Sequence, residues 1–480
     1  MKIGFVSLGC SKNLVDTEKT IGIFKANNYE IVNSPDNADV IVINTCGFIE
    51  SAKEEAINTI LEMAEYKKKK CKYLIVMGCL VERYKEELEK AIPEVDLFIK
   101  YSEYNMLWRK IQELLQIDVT ANENAKANNG KVAKANNEAT NQNDRLNQKE
   151  SKENNNQHSI SNCNLDKYDD FNTVTERVVS TGENYAYLKI ADGCSNRCTY
   201  CAIPYIRGPQ ISRKMEDIIE EAKKLATDGY KELILIAQDT TKYGVDIYGE
   251  PKLVELLEEI SKIDQIKWIR FLYAYPETIT PALIKLVKEN DKICKYFDIP
   301  IQHISDTVLK RMNRQSNGKT IRNLIQTLRK EIPDVVIRTT VMVGFPGETK
   351  EDFEELYNFL KEAKFDKLGC FAYSKEDGTP AARIKEQIHP MTKKSRYNKI
   401  MALQQEISKE NLEKQIGKEV EILIEGKSFD GRTYVGRTYM DVPDIDGIAY
   451  LNTNKNLQSG DFVKAKIIDV SNYDLICKDS

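Results

Sequence analysis

Histidine is almost missing from this chain: its 480 residues include three, His158, His303 and His389. None pairs evidently with a nucleophile or a carboxylate, so the sequence offers no Ser-His-Asp style of acid–base chemistry. Long hydrophobic runs are missing too. No apolar stretch approaches the roughly 20 residues that span a bilayer, and the opening "MKIGFVSLGC" reads as a strand instead of a signal peptide. A cytoplasmic protein without membrane contact is expected. A basic excess is also lacking: the formal net charge is −4, which argues against a generic electrostatic nucleic-acid binder. Finally, no aromatic residue occurs between Trp108 and Tyr168. That stretch is rich in Asn, Lys, Glu and Ala and has too little apolar surface to offset its ordering entropy. Residues 118–172 are therefore expected to form a disordered linker or insertion, in which His158 and Cys163 are incidental.

Cysteine is plentiful, with 11 residues. In a long cytosolic chain these do not form a disulfide framework, because the compartment keeps thiols reduced. They are metal ligands, nucleophiles or core residues, and position sorts them.

Before the linker, in residues 1–117, the apolar runs "KIGFVSLGC", "ADVIVINTCGF" and "KYLIVMGCL" alternate with helical patterns such as "SAKEEAINTILEMAEY". In that helix Ile57, Ile60, Leu61 and Ala64 are expected to share the buried face. β-branched runs alternating with helices imply a parallel sheet. After the linker, residues 173–411 carry six strand candidates: "YAYLKIADG", "ELILIAQDT", "WIRFLYAYP", "YFDIPIQH", "VIRTTVMVGFPG" and "KLGCFAYS". Six β/α units suggest a partial or complete barrel with its site at the carboxyl ends of the strands. From Leu412 to Ser480 short strands and Gly turns take over, as in a small OB-like barrel. The expected fold class is thus multidomain α/β with an all-β appendage.

Cys10, Cys46 and Cys79 each follow a predicted strand. Parallel strands bring their carboxyl ends to one sheet edge, so these thiols converge there or are merely small core residues. Cys71 precedes its strand and falls at the opposite edge. Cys294 and Cys370 are expected in the core and Cys477 in a tail. "ADGCSNRCTYCAIPYIRG" is more informative. Cys194, Cys198 and Cys201 follow a strand at a spacing that suits a cubane iron–sulfur cluster, which takes one cysteine per iron. A zinc knuckle would want a fourth Cys or His nearby. Three ligands for four irons leave one iron open to chemistry.

The CxxxCxxC spacing, with Tyr200 before the last cysteine, resembles the radical S-adenosylmethionine enzymes. In that family the amino and carboxylate groups of S-adenosylmethionine fill the open iron site, and the reduced cluster cleaves the sulfonium to give a 5′-deoxyadenosyl radical. "SLGCSKNLVDTE", "NTCGFIESA", "MGCL", "CTYCAIPYIRG" and "GFPGET" narrow the likeness to the methylthiotransferases. The resemblance covers nearly the whole chain; the Asn-rich linker departs from it but removes no motif. It implies an N-terminal methylthiotransferase domain, a radical S-adenosylmethionine (β/α)6 partial TIM barrel and a C-terminal TRAM domain. It also implies a second [4Fe-4S] cluster on Cys10, Cys46 and Cys79. One S-adenosylmethionine would donate a methyl group to a sulfur derived from sulfide or polysulfide, and another would serve as radical source. Tyr200, Gln238 and Arg338 are the expected S-adenosylmethionine contacts, Arg338 as a bidentate carboxylate donor or a structural ion pair. Asp239, Gln302 and His303 also end strands and either line the site or cap loops.

The family has two branches, one acting on a modified adenosine in tRNA and one on the β-carbon of an aspartate in ribosomal protein S-12. "FLYAYPETIT", "YFDIPIQHISDTVLKRMNR" and "GRTYMDVPDIDGIAYL" resemble the ribosomal branch. From Leu412 to Ser480 there are 12 acidic against 9 basic residues, and Asp441, Asp444 and Asp446 cluster in "DVPDID". An acidic loop opposes phosphate binding and would complement a basic ribosomal protein, unless these aspartates are ordinary turn formers. The expected partners are ribosomal protein S-12 or the small ribosomal subunit and an electron donor such as flavodoxin or ferredoxin, with tRNA as the alternative. Two other classes compete. An electron carrier would saturate every iron with cysteine, and a zinc-stabilised RNA-binding module would contain zinc without sulfide.

Overall fold

The computed structural model describes residues 1–115, 171, 174, 176–429, 431 and 433–479. The expected linker, with His158 and Cys163, lies outside these residues except for Phe171. That ring is 3% exposed and meets Tyr104 edge-on at 5.0 Å, so the first domain draws on residues well beyond its expected end at 117.

The first domain is a five-stranded parallel sheet in the order β2-β1-β3-β4-β5: β1 (Lys2–Ser7), β2 (Glu30–Val32), β3 (Val40–Thr45), β4 (Tyr73–Gly78) and β5 (Leu97–Lys100). β2 and β5 were not expected, being too short to show a period. Helices α1 (Ser11–Ala26), α2 (Glu50–Ala64), α3 (Cys79–Ala91) and α4 (107–115) flank the sheet. On α2 the buried face is Ala56, Ile60, Met63 and Ala64. Ile57 and Leu61, expected on it, are 37% and 47% exposed. The helix is rotated so that the Ala56–Ile60–Met63 line faces the sheet and Ile57 and Leu61 are left outside. α1 is buried on nearly all sides, polar residues included, because it is wedged between its own sheet and the next domain.

The second domain carries the six expected strands: β6 (Tyr185–Lys189), β9 (Glu232–Ile236), β10 (Trp268–Phe271), β11 (Tyr296–Gln302), β12 (Val336–Val343) and β13 (Lys367–Ala372). All neighbouring pairs within β10-β9-β6 and β11-β12-β13 are parallel. The two halves meet at the bridge Ile269–Ile293 and where the Ala274 amide donates to the Asp298 carbonyl at 2.8 Å. A short pair, β7 (Ala191–Asp192) with β8 (Ile211–Ser212), brackets the Cys194–Cys201 loop. In chain order the helices are α5 (Ile203–Ile206), α6 (Met215–Thr227), α7 (Val245–Tyr248), α8 (Leu253–Ser261), α9 (Pro281–Glu289), α10 (Asp306–Arg311), α11 (Gly318–Glu331) and α12 (Lys350–Ala363). Leu256, Leu283, Ile325 and Leu356 pack from four of these helices into one core with the strands. This is a partial barrel, open on one side.

α13 (Pro390–Glu413) then leads to a closed barrel of β14 (Glu419–Lys427), β15 (Tyr434–Arg437), β16 (Ala449–Asn452), β18 (Leu475–Asp479) and β17 (Phe462–Val470), in that spatial order. Cys477, expected in a tail, sits fully buried in β18. The strand "LICKD" has charged neighbours and escapes a pattern search, yet it is needed to close the barrel.

Candidate active site

Three loops at the carboxyl ends of the adjacent strands β1, β3 and β4 present Cys10, Cys46 and Cys79. Gly9 makes the first approach possible: it has φ +90°, and a Cβ there would stand 2.6 Å from the Cys46 Cβ. Asn13, on the first turns of α1, ties the loops together. Its Nδ2 donates to the Leu8 and Thr45 carbonyls at 3.0 Å each, and its Oδ1 accepts from Cys79 Sγ at 3.5 Å and Arg207 Nη2 at 2.5 Å. Burial pushes the Cys79 thiol up to about 12, against the pull of Arg207. Burial raises Cys46 as well.

The second triad lies on the loop after β6. Gly193, at φ +72°, starts it where a Cβ would be 2.0 Å from the Pro209 carbonyl oxygen. The Cys194 amide donates to Gly208 and the Thr199 amide to Met312, both at 3.0 Å, which pins the loop at its two ends. Burial raises the Cys194 and Cys201 thiols. Around Cys198, Arg314 Nη1 and the Tyr275 hydroxyl each lie 4.0 Å from Sγ, and the Arg314 guanidinium stacks 4.3 Å from the Tyr275 ring centre.

Both triads open on one cavity of about 420 Å³, lined by all six cysteines. The donor chemistry fits iron–sulfur clusters. Each set is three thiols, and among the described residues no histidine lines the cavity. Among the described residues no His, Cys, Asp or Glu group is disposed to hold a single metal ion, whereas a cluster spreads its thiolates over separate irons.

Tyr200, Gln238, Gln302 and Arg338 line this cavity. Gln238 Nε2 donates to Asp192 at 3.0 Å. Arg338 is held by Asp298 at 2.8 Å and Asp446 at 3.8 Å. Gln302 adopts a left-handed backbone, φ +66°, as does Tyr273 at +64°, and two strained non-glycine residues at one cavity are the mark of a built site. Asp239 and His303 are not brought to it. Asp239 is fully buried and accepts from Asn196 and Thr241. His303 is buried with Nδ1 accepting from the Ser305 amide, and desolvation lowers it to about 4. Cys71, Cys294 and Cys370 are buried away from the cavity.

Several functional residues gave no sequence signal of their own. Lys12, Asn13 and Arg207 sit inside the quoted cysteine motifs but carry no spacing rule. Asp16 and Asp192 hold Arg207 and Lys189 in a buried network between the first two domains. "DVPDID" needs correction. Asp441 pairs with Lys367 at 2.8 Å, and Asp446 accepts from the Tyr296 hydroxyl at 2.7 Å and the Val442 amide at 3.0 Å. Asp444 alone is exposed, and it accepts from Tyr185 at 3.1 Å. The loop is therefore no open acidic patch: its carboxylates dock the small barrel, and its Val442 and Ile445 reach the cavity wall.

Residues 2–100 match the Uncharacterized protein family UPF0004, residues 188–360 the Radical SAM superfamily and residues 416–478 the TRAM domain. The chain is 59% identical over 477 residues to a ribosomal protein uS12 methylthiotransferase of Alkaliphilus oremlandii, covering 99% of this chain and 98% of that one. It is 49% identical to the protein of the same name from Acetivibrio thermocellus, over 99% and 97% of the two chains. For Clostridioides difficile the figures are 47%, 99% and 98%. Among solved structures, the radical S-adenosylmethionine methyltransferase TsrM from Kitasatospora setae, with cobalamin and a [4Fe-4S] cluster bound, superposes with a TM-score of 0.52. At 12% identity, over 79% of this chain and 73% of that one, it shares the fold alone.

Proposed function

The chain belongs to the ribosomal protein uS12 methylthiotransferase family of radical S-adenosylmethionine enzymes, and we propose that it methylthiolates the β-carbon of an aspartate in that ribosomal protein. The observation that carries this reading is the single cavity faced by both cysteine triads. A transfer that breaks an unactivated C–H bond and installs sulfur needs two redox-capable centres within reach of one substrate atom.

Cys194, Cys198 and Cys201 would hold one [4Fe-4S] cluster and Cys10, Cys46 and Cys79 the other. When bound, these groups and S-adenosylmethionine supply the one-electron chemistry and the methylthio group, drawing on sulfide or polysulfide and on a donor such as flavodoxin or ferredoxin. The chain's own residues do the rest. Arg314 and Arg207 offset negative charge at Cys198 and Cys79. Phe48, Ile203, Ile206, Leu272 and Val442 make the wall largely apolar, which excludes water from reactive species. Tyr200, Gln238 and Arg338 are the side chains proposed to contact S-adenosylmethionine.

Transfer to tRNA is not favoured. The full-length relatives carry the ribosomal-protein name, and the small barrel has no basic excess to neutralise phosphates. Among the described residues no helix is long and apolar enough to cross a membrane, in keeping with a substrate on the ribosome.

The test is an anaerobic reaction of reconstituted enzyme with S-adenosylmethionine, sulfide and dithionite, offered either a peptide from the aspartate-bearing loop of uS12 or unmodified tRNA. Mass spectrometry should find the methylthio group on the peptide aspartate. Its appearance on tRNA alone would overturn the substrate assignment.

A further inference from the structure

Among the described residues three cations line the thiol-faced cavity: Lys12, Arg207 and Arg338. Two are matched by carboxylates. Arg207 is held by Asp192 and Asp16, and Arg338 by Asp298 and Asp446. Lys12 differs. It is 6% exposed, and among the described residues its ammonium meets no carboxylate but lies over the face of Tyr273, 3.2 Å from the ring centre. A cation–π contact recovers less than a buried ammonium loses by leaving water. The missing counter-charge is therefore supplied by something that enters the cavity.

Its place says what that is. Lys12 is two residues beyond Cys10, on the first turn of α1. Tyr273 is two residues before Tyr275, whose hydroxyl faces Cys198. The ammonium thus lines the cavity that both triads face. Tyr273 is kept in its left-handed backbone by its amide donating to Asp298 Oδ2 at 3.0 Å and its carbonyl accepting from the Thr240 amide at 3.2 Å. That strained conformation presents the ring to Lys12.

We propose that the Lys12 ammonium recognises the side-chain carboxylate of the aspartate that is modified, an assignment that rests on the function proposed above. The carboxylate is one bond from the β-carbon. Fixing it fixes the reacting carbon in the cavity that both triads face, which is the orientation that transfer requires. It also makes the enzyme selective, because an asparagine at the same position brings no charge to Lys12.

The test compares wild type, Lys12→Met and Lys12→Arg in the reconstituted enzyme without reductant. The probes are a fluorescein-labelled uS12 loop peptide and its Asp→Asn twin, with affinity read by anisotropy. Removing one partner of a buried charge pair weakens binding by roughly 30-fold or more. Wild type should prefer the aspartate peptide by about that factor, Lys12→Met should bind both peptides within about threefold, and Lys12→Arg should restore much of the preference. A Lys12→Met enzyme that keeps the full preference overturns the assignment, as does one that loses affinity for S-adenosylmethionine and not for the peptide. Wild-type enzyme that, once reduced, modifies no uS12 peptide overturns the proposed function, and this assignment with it.

Discussion

Replacing Glu232 by Gln should loosen the small barrel from the radical barrel. Glu232 is fully buried in β9, between two guanidinium groups. Arg270 Nε donates to its Oε1 at 2.9 Å, and Arg437 Nη2 of the small barrel lies 2.8 Å from its Oε2. At an effective dielectric of 20, opposite charges centred about 4 Å apart attract by about 4 kcal/mol. Glutamine keeps the shape and removes the charge, leaving two cations buried side by side. Breaking buried pairs in this way costs about 3–5 kcal/mol. Arg437 retains Glu425 at 2.8 Å, so the loss should fall near the lower end, about 3 kcal/mol. For domains of this size that lowers the melting midpoint by roughly 6–12 °C, readable by scanning calorimetry of the full chain. The pH dependence follows from the carboxyl's depressed pKa, caused by Arg437 and Arg270 acting against burial. A carboxylate depressed in the folded state contributes its full stability above its unfolded pKa of about 4.3 and loses it as pH falls through the lower folded value. The gap between wild type and Glu232→Gln should thus stay constant from neutral pH down to about 5 and narrow only in stronger acid. A shift below about 2 °C at pH 7, or a gap that closes already near neutrality, would refute the reasoning.

Two further outcomes concern the cysteine sites. Cys79→Ala should lower bound iron by about four atoms per chain, whereas Cys71→Ala should leave iron and sulfide content unchanged in the same assay. Gly193→Ala should empty the other site without touching a ligand, since the added Cβ would collide with the Pro209 carbonyl; a variant with wild-type iron content and absorption spectrum would show that the loop yields.

Much of the fold is legible in the sequence because its signals are local. Six apolar runs of the right length became β6 and β9 to β13, and the CxxxCxxC spacing holds three thiols near one another whatever surrounds them. Cys10, Cys46 and Cys79 were readable by a single topological rule, that parallel strands end at one edge. β2, β5 and β18 were not readable, because three to five residues carry no period and their pairing comes from neighbours far away in sequence. Ile57 and Leu61 fit the same helical face as Ile60 and Ala64, yet packing against the sheet rotated that face toward Ala56 and Met63.

The sequence by itself determined the three-part order, the six candidate ligands and the chemistry that thiols at that spacing support, since each depends on residue type and short-range spacing. Tertiary structure alone decided that both triads face one cavity, that α1 is buried as an interdomain wedge, and that two aspartates of "DVPDID" dock a domain instead of facing a partner. It also decided that Lys12, one charge among many in the sequence, is the cavity cation that meets no carboxylate among the described residues. The physical reason is the same in each case. Burial and charge pairing are properties of what the chain brings together over hundreds of residues, and no local pattern records them.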